Sequence, residues 1–205
     1  MLNALWFRPD GGRESYSRYG EAVRPLIEEV GADVLFPPLP LGRALEGEFD
    51  PDLFFVVRYP SAETFDRMWE SEVYGEVARL RTDALERVAL TRCAIDPVDA
   101  GPVELQQGIA VLNILWFESG GRERYDDYLE TAQPLVESVG GRLISPRFVP
   151  EKVVEGDLLP DLVLIGNYPS TDALVEMTTS AAYEQVATIR AEAVARSFTT
   201  LLLVT

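Results

Sequence analysis

The sequence predicts an α+β protein made of two similar modules in tandem. Residues 11–96 and 120–205 align with each other without a gap, and both segments carry Gly-Gly-Arg-Glu, Pro-Asp-Leu and Tyr-Pro-Ser in the same order. Upstream, Leu-Asn-Ala-Leu-Trp-Phe at residues 2–7 recurs as Leu-Asn-Ile-Leu-Trp-Phe at residues 112–117. Solenoid repeats have periods of about 20 to 50 residues, so a repeat of this length indicates a duplicated domain. Each copy also shows the order strand, helix, strand, strand, helix, strand.

The first strand and the first helix of each copy follow from the apolar pattern. In the first copy, Leu2–Phe7 is a short apolar run, and a Gly-Gly turn leads into a helix predicted from about Arg13 to Val30. Apolar side chains recur there at spacings of three and four, which is the helical period. The stripe consists of Tyr16, Tyr19, Val23, Leu26 and Val30 in the first copy and of Tyr125, Tyr128, Ala132, Leu135 and Val139 in the second.

A proline lies inside the first helix of each copy, at Pro25 and Pro134. An internal proline costs about 3 kcal/mol and frees the carbonyl four residues earlier, here at Glu21 and Glu130. Two interpretations follow. The kink opens a pocket between helix and sheet, lined by the tyrosines of the stripe, or it only bends the helix to fit a twisted sheet.

The remaining elements complete each module. Val34–Phe36 and Leu143–Ile144 begin a second strand, and a proline-rich loop is predicted from there to Asp52 and Asp161. The third strands are continuous apolar runs, Leu53–Tyr59 and Leu162–Tyr168. Serine N-caps are predicted for the next helix at Ser61 and Ser170. A further helical turn is predicted to start at Ser71 and Ser180 and to run through Arg81 and Arg190. The final strands are Val88–Ile95 and Phe198–Val204. The predicted domains are a first copy at residues 1–96, a linker at 97–108 and a second copy at 109–205.

The order of elements in each copy is that of a ferredoxin-like βαββαβ module, with an antiparallel sheet and helices on one face. The third strands are apolar at alternate positions of both parities, so neither face of the sheet is expected to meet solvent. Packing the sheets of the two copies against each other covers the second face. The sequence therefore predicts two tandem ferredoxin-like modules packed as an intrachain α+β barrel.

Composition limits the partners and the chemistry. The chain has 18 basic and 34 acidic residues and a net charge of −16, so nucleic acid and membrane surfaces are not expected to bind it. It has no histidine, which excludes histidine-ligated haem, the common zinc sites and histidine-dependent nucleophilic triads. We therefore expect no cofactor and no metal. Its one cysteine, Cys93, lies in an apolar run and is predicted to be a buried thiol in a reducing cytoplasm.

The motifs also resemble a known family. Gly-Gly-Arg, the mid-helix proline, Glu-Gly before Pro-Asp, Tyr-Pro-Ser, and Ser-x-x-Tyr followed by Ile-Arg-x-x-Ala are similar to the domain-of-unknown-function 1330 family. The resemblance covers both copies and is clearer in the second, which has Gly140-Gly141 where the first has Gly31-Ala32. It implies the dimeric α+β barrel superfamily, which includes cofactor-free monooxygenases, isomerases, dehalogenating or haem enzymes and proteins without known chemistry. A fold shared by so many activities leaves the reaction open.

Two differences between the copies are candidate ligand contacts. Arg58 in the third strand aligns with Asn167, and Trp69 aligns with Thr178. A polar side chain in an apolar strand must face a cavity or find a hydrogen-bond partner, so Arg58 and Asn167 are either ligand anchors or satisfied structural residues. If both face inward, Arg58 favours an anionic group and Asn167 a neutral one, and Arg58→Ala weakens binding of an acidic ligand more than Asn167→Ala does.

Residues shared by both copies complete the candidates. Arg81 and Arg190 could bind a carboxylate through two hydrogen bonds, or form a salt bridge to a nearby acidic residue. The tyrosines could line a pocket or pack in the core with their hydroxyls at its edge. No catalytic residue is assigned. The candidate binding residues are Arg58, Asn167, Tyr59, Tyr168, Trp69, Arg81, Arg190, Tyr16 and Tyr125.

Two classes of function fit these observations. One is a small-molecule-binding protein or cofactor-independent enzyme that acts on an aromatic or polyketide-like metabolite by oxygenation, isomerisation or cyclisation. The other is a non-catalytic assembly module whose interior only buries apolar surface. A cavity of about 300 Å³ or more with polar anchors favours the first class, and a filled interior favours the second. A small hydrophobic or aromatic ligand and a homodimer of two chains are the expected partners.

Overall fold

The computed structural model describes residues 1–204, with side chains as far as Leu202. This part of the chain contains six helices and nine strands, which confirms the predicted α+β class and the tandem βαββαβ order. The strands are β1 (Leu2–Phe7), β2 (Asp33–Leu39), β3 (Leu41–Glu46), β4 (Leu53–Arg58), β5 (Leu85–Asp96), β6 (Gly108–Phe117), β7 (Arg142–Glu155), β8 (Leu162–Tyr168) and β9 (Val194–Val204). The helices are α1 (Gly12–Glu29), α2 (Ala62–Trp69), α3 (Glu72–Ala84), α4 (Gly121–Ser138), α5 (Thr171–Thr178) and α6 (Ala181–Ala193).

The chain forms two compact units that exchange segments between the copies. The first unit comprises residues 1–38 and 51–92 of the first copy together with residues 152–158, which come from the second copy. The second unit comprises residues 39–50, 93–151 and 159–205. Residues 39–50 contain β3 and residues 152–158 contain the end of β7. The compact units therefore do not follow the boundaries of the sequence repeat.

The sheet of the first unit has β1 at its centre. β1 pairs antiparallel with β4 on one side and with β5 on the other, and β2 lies outside β4. The end of β7 and the residues after it lie beside β5, where the Thr91 hydroxyl donates a hydrogen bond to the Leu158 carbonyl. Tyr19, Phe65 and Met68 pack into the core between the helices and this sheet.

The second unit repeats this arrangement around β6. β6 pairs antiparallel with β8 and with β9, β7 pairs antiparallel with β8, and β3 pairs antiparallel with β9. The core contains Tyr125, Tyr128 and Leu129 of α4. Each unit thus has a ferredoxin-like sheet extended by one strand from the other copy.

Two of the sequence motifs have direct structural reasons. The Gly-Gly turn precedes α1 and α4 because its first glycine has φ of 77° at Gly11 and 68° at Gly120, a backbone conformation that L side chains rarely adopt. A Cβ on the second glycine would lie 2.5 Å from the Ala84 carbonyl oxygen at Gly12. The predicted serine caps are confirmed. The hydroxyls of Ser61, Ser71, Ser170 and Ser180 each accept a hydrogen bond from the backbone N–H three residues later.

The predicted proline-rich loops are wrong. In the first, β2 continues to Leu39 and β3 follows at Leu41–Glu46, and in the second β7 continues without interruption through Pro146 and Pro150 to Glu155. Proline disfavours a central strand in general, but its fixed φ suits extended backbone, and the pairing of β7 with β8 shifts register between Ile144 and Phe148, around Pro146. Cys93 is half-buried, not fully buried as predicted. None of the helices in the described residues is both long and apolar enough to cross a membrane.

Candidate functional site

The first unit contains a cavity of about 470 Å³. α1, β4, α2 and α3 supply most of its wall, which is largely apolar and aromatic. The hydroxyls of Tyr19 and Tyr74 lie 3.4 Å apart and form a hydrogen bond inside the unit. The residues used below that line this cavity are Asn3, Tyr16, Tyr19, Gly20, Phe55, Tyr59, Phe65, Trp69, Tyr74, Arg81 and Leu90.

Strand geometry decides which residues of β4 face this cavity. Leu53, Phe55 and Val57 line it, and alternate side chains of a strand point to opposite faces. Arg58 therefore lies on the other face, where its Nε and Nη2 donate to the two carboxylate oxygens of Asp33 at 2.9 and 2.8 Å. Of the two interpretations left open for Arg58, its contacts favour the satisfied structural residue. The sequence could not decide between them, because a strand that is apolar at both parities does not show which face lines a cavity. Any role of Arg58 in binding remains a prediction without support from its position.

Arg81 is the buried cation of the first cavity. The residue is 7% exposed, and its Nη1 donates a hydrogen bond of 2.7 Å to Glu155 Oε2, on the segment that the second copy contributes. Its Nη2 is buried and has no hydrogen-bond partner among the described residues. The guanidinium carbon lies 5.5 Å from the centroid of the Trp69 ring, within the range of a cation–π contact. One edge of this guanidinium is therefore held and the other is unoccupied.

Arg81 is charged and the tyrosines around it are neutral near pH 7. Burial is the largest single influence and lowers the pKa of Arg81, but the charge and hydrogen bond of Glu155 together with the neighbouring tyrosines raise it by more, so the guanidinium stays protonated. Burial also raises the pKa of the hydroxyls of Tyr16, Tyr59 and Tyr74 above the ordinary value. These tyrosines are neutral at pH 7, act as hydrogen-bonding groups, and supply no negative charge to Arg81.

The second unit contains a corresponding cavity of about 450 Å³. The hydroxyls of Tyr128 and Tyr183 lie 3.2 Å apart, in the same relation as Tyr19 and Tyr74. Burial raises the pKa of Tyr168 to about 12. The residues used below that line the second cavity are Glu46, Asn113, Tyr125, Tyr128, Leu129, Tyr168, Thr178, Tyr183, Arg190 and Thr199.

Arg190 is held at both nitrogens, unlike Arg81. Its Nη1 and Nη2 donate to Glu46 Oε1 and Oε2 at 3.3 and 2.6 Å. The Thr199 hydroxyl donates a further hydrogen bond of 3.1 Å to Glu46 Oε2. Hydrogen bonding from Arg190 holds the pKa of Glu46 below its usual value. The cation of the second cavity is therefore neutralised by a two-pronged salt bridge.

A single sequence difference accounts for part of this contrast. Thr199 aligns with Leu90 of the first copy, and both residues occupy the same position opposite an asparagine, Asn113 or Asn3, in the neighbouring strand. Leucine has no hydroxyl, so Glu155 lacks the third donor that Thr199 gives to Glu46. Three hydrogen bonds fix the carboxylate of Glu46, and one from Arg81 fixes that of Glu155.

Asn167 lies outside the second cavity and has a structural role. It is 2% exposed. Its Oδ1 accepts from the Gln106 backbone N–H at 2.7 Å, and its Nδ2 donates to the carbonyls of Gln106 and Ile109 at 3.3 and 2.8 Å. Asn167 thus fastens the linker to the start of β6. Its polar atoms are satisfied by backbone, as one of the two sequence interpretations requires.

Seven of the nine candidate residues therefore line one or the other of the two cavities. Tyr16, Tyr59, Trp69 and Arg81 line the first cavity, and Tyr125, Tyr168 and Arg190 line the second. Sequence reasoning did not single out Glu46, Glu155, Leu90 or Thr199. The repeated Glu-Gly motif was the available signal, since Gly47 and Gly156 have φ of 67° and 82° and let the chain turn directly after each carboxylate. No three Asp, Glu or Cys side chains between residues 1 and 204 are grouped as metal ligands would be.

Known structures share this architecture. A chlorite dismutase variant from Candidatus Nitrospira defluvii is 10% identical, with 99% of this chain and 90% of that chain covered and a TM-score of 0.56. An anthrone oxidase-like protein is 12% identical, with coverage of 99% and 90% and a TM-score of 0.53. These likenesses confirm the predicted fold class, that of tandem ferredoxin-like modules of the dimeric α+β barrel type. A protein of unknown function from Rhodopseudomonas palustris is 29% identical over 47% of this chain and 82% of its own, with a TM-score of 0.44.

Sequence comparison identifies the family. No curated protein was found that matches this chain. The family described as "Domain of unknown function (DUF1330)" matches residues 12–91 and again residues 112–203, which together make up most of the chain. Each match includes the tyrosines of the first helix and the arginine of the cavity. The chain therefore belongs to the DUF1330 family and carries two tandem copies of its domain.

Proposed function

We propose that this protein binds a small hydrophobic or aromatic molecule in the cavity of the first unit. The observation that carries the proposal is the cavity itself, about 470 Å³ in volume, with aromatic walls and a buried arginine. Ligand sites in proteins typically have volumes of about 300–1,000 Å³ and apolar walls with a few convergent polar groups. An assembly module that only buries apolar surface would have no need of such a space.

The first cavity is favoured over the second because of one small residue. Gly20 of α1 lines the first cavity, and a Cβ placed on it would meet no atom within 4 Å. The aligned residue of the second copy is Leu129, which is buried in the core of its unit. A leucine side chain thus occupies the place that is vacant beside Gly20.

Catalysis without a cofactor is the second candidate. The anthrone oxidase-like protein has the same fold, and the first cavity combines a tyrosine pair with the buried cation of Arg81, which Glu155 binds at Nη1. Neutral tyrosine hydroxyls and a buried cation suit stabilisation of an oxyanion that develops on an electron-rich aromatic substrate. Oxygenation, isomerisation and cyclisation of an aromatic or polyketide-like compound are the reactions proposed under this candidate.

A thermal-shift screen against aromatic metabolites tests the binding proposal. A ligand present at about 100 times its Kd stabilises the folded state by about 2.7 kcal/mol, which raises the Tm of a protein of this size by about 5 °C or more. Gly20→Leu places a side chain in the empty space beside Gly20 and is expected to reduce the shift. Gly75→Leu is the matched control, because Gly75 lies exposed on α3 with no atom within 4 Å of an added Cβ.

Three results separate the candidates. A ligand-induced shift that is reduced in Gly20→Leu and kept in Gly75→Leu supports the site. No shift with any aromatic compound contradicts the proposal and favours the assembly module. Turnover of a bound compound, followed by mass spectrometry in the presence of oxygen, supports the enzyme.

A further inference from the structure

We infer that the first cavity takes a small aromatic anion, a carboxylate or phenolate, whose charged oxygen accepts a hydrogen bond from Arg81 Nη2, and that the second cavity offers no equivalent anion site. This inference rests on the proposed function, since it names the ligand class of the same cavity. It also sets the stoichiometry at one anion per chain.

The unpaired nitrogen of Arg81 is the first support. Nη2 is buried and has no acceptor among residues 1–204. A buried N–H group without a partner is unfavourable, because folding has removed the water that would otherwise accept its hydrogen bond. An oxygen supplied by a ligand would remove this penalty, and a hydrogen bond between two charged groups is stronger than one between neutral groups.

Among the described side chains, as far as Leu202, no second anion binds this nitrogen. Glu155 already accepts from Nη1, and its side chain is 40% exposed, so its charge is partly screened by solvent. The tyrosines nearby have raised pKa values and remain neutral. The guanidinium therefore retains unused capacity to bind an anion that enters the cavity.

Aromatic rings beside Arg81 suit a flat apolar body for the ligand. Trp69 stacks against Phe65 at 5.3 Å between ring centroids, and Tyr16 and Phe55 line the same cavity. The guanidinium carbon of Arg81 lies 5.5 Å from the centroid of the half-buried Trp69 ring, so an anion bound at Nη2 lies close to that ring. Binding of an anion should therefore change the fluorescence of Trp69.

The second cavity lacks this capacity although its arginine is conserved between the copies. Glu46 occupies both Nη1 and Nη2 of Arg190, and Thr199 holds Glu46 in place. A ligand anion would have to displace a carboxylate of the same charge that is already bound through two hydrogen bonds. Glu46 thus already occupies the position on Arg190 that a ligand anion would need.

The test uses two probes of the same shape, 2-naphthoic acid and 2-naphthamide, titrated calorimetrically into the full-length protein at pH 7. We expect the acid to bind roughly 10- to 100-fold more tightly than the amide, the range for one charged hydrogen bond. Arg81→Gln should remove this preference by weakening the binding of the acid much more than that of the amide, whose carbonyl oxygen accepts only a neutral hydrogen bond. Arg190→Gln is the matched control and should keep the preference.

A second variant changes the affinity in the opposite direction. Glu155→Gln removes the negative charge beside Arg81, so the acid should bind several-fold more tightly than to the wild type while the amide is unaffected. Glu155 is half-exposed, so this variant is expected to fold and gives a result even if Arg81→Gln does not. A merely structural role for the pair would weaken binding of both probes in both variants.

The outcomes distinguish this inference from the function on which it rests. Equal affinity for acid and amide in the wild type, or two acids bound per chain, overturns the inference and leaves the binding function standing. Retention of the acid preference in Arg81→Gln also overturns it. Binding of neither probe contradicts the inference together with the proposed function.

Discussion

Each cavity has an arginine at the equivalent position of its helix, Arg81 in α3 and Arg190 in α6, yet the two side chains differ in their hydrogen bonds. Arg190 is bound at both nitrogens by Glu46, whereas Arg81 is bound at one nitrogen by Glu155 and keeps the other free of partners among the described residues. The hydroxyl–hydroxyl distances in the two tyrosine pairs are similar, at 3.4 Å in the first cavity and 3.2 Å in the second. The same framework thus contains one arginine with both terminal nitrogens hydrogen-bonded to a carboxylate and one with a single terminal nitrogen so bonded.

This comparison shows that functional divergence between duplicated domains need not lie at the residues that differ most. Arg58 and Asn167 are the conspicuous difference in the sequence, but both lie outside the cavities and are engaged in structural contacts. The difference that bears on ligand binding arises between identical arginines. It depends on how a carboxylate from a distant segment is held, and on whether Leu90 or Thr199 stands beside it.

The largest expected effect on the free energy of unfolding comes from the glycine that follows the carboxylate in each exchanged segment. Gly156→Ala and Gly47→Ala should each destabilise the protein by about 2–4 kcal/mol, because both positions have positive φ and an added Cβ meets backbone. The Cβ would lie 2.3 Å from the Val88 carbonyl oxygen at Gly156 and 2.5 Å from that of Ser197 at Gly47. Urea denaturation measures the effect. Similar losses in both variants mean that the exchanged segments are equally important, and a small loss in either would show that its segment is dispensable.

Asn167 and Arg58 provide the next test. Asn167→Ala should cost about 2–3 kcal/mol of unfolding free energy, since it leaves the buried Gln106 N–H without its acceptor. Arg58→Ala should cost less than about 1 kcal/mol, because its salt bridge to Asp33 is at the surface. Chemical denaturation of the two variants decides. Equal costs, or weaker ligand binding in Arg58→Ala alone, would restore the original interpretation of Arg58 as an anchor.

The two cavity arginines should also differ in stability, in the opposite sense to ligand binding. Arg190→Gln loses two hydrogen bonds to Glu46 and should cost about 2 kcal/mol, whereas Arg81→Gln loses one and removes an unsatisfied donor, for a cost of about 1 kcal/mol. Both values are measured by urea denaturation without ligand. A larger loss for Arg81→Gln would show that its free nitrogen has an unrecognised partner.

The smallest effect is a dependence on pH. Arg190 holds the pKa of Glu46 below its usual value, so the stabilisation by Glu46 is present above the unfolded pKa of about 4.3 and is lost as the pH falls through the lower folded pKa. The stability difference between the wild type and Glu46→Gln should therefore be constant from about pH 5 to 8 and shrink below about pH 4. A difference that persists unchanged at pH 3 would mean that the carboxylate charge is not what stabilises the pair.

The sequence was sufficient for the elements with strong periodicity and clear caps. The tyrosine stripe predicted α1 and α4 to within a residue or so, and the serine caps were confirmed. It was insufficient for β3 and the second part of β7, because pairing with a distant strand overrides the local preference of prolines for loops. It could not orient β4, where every residue before Arg58 is apolar. Nor could it find the partners of Arg81 and Arg190, since each lies in the other copy.

The exchange of segments has a consequence for how this chain can change. A single copy, residues 1–96, carries Arg81 without the carboxylate that holds it and Glu46 without the arginine it meets. If two identical molecules of such a fragment exchanged these segments, each arginine would meet the same carboxylate and both would be held in the same way. Fusion in one polypeptide supplies one copy of each exchanged segment, 39–50 and 152–158, and allows each to be altered alone. A substitution near residue 155 is then inherited as a change in the first cavity, although it is encoded in the second copy.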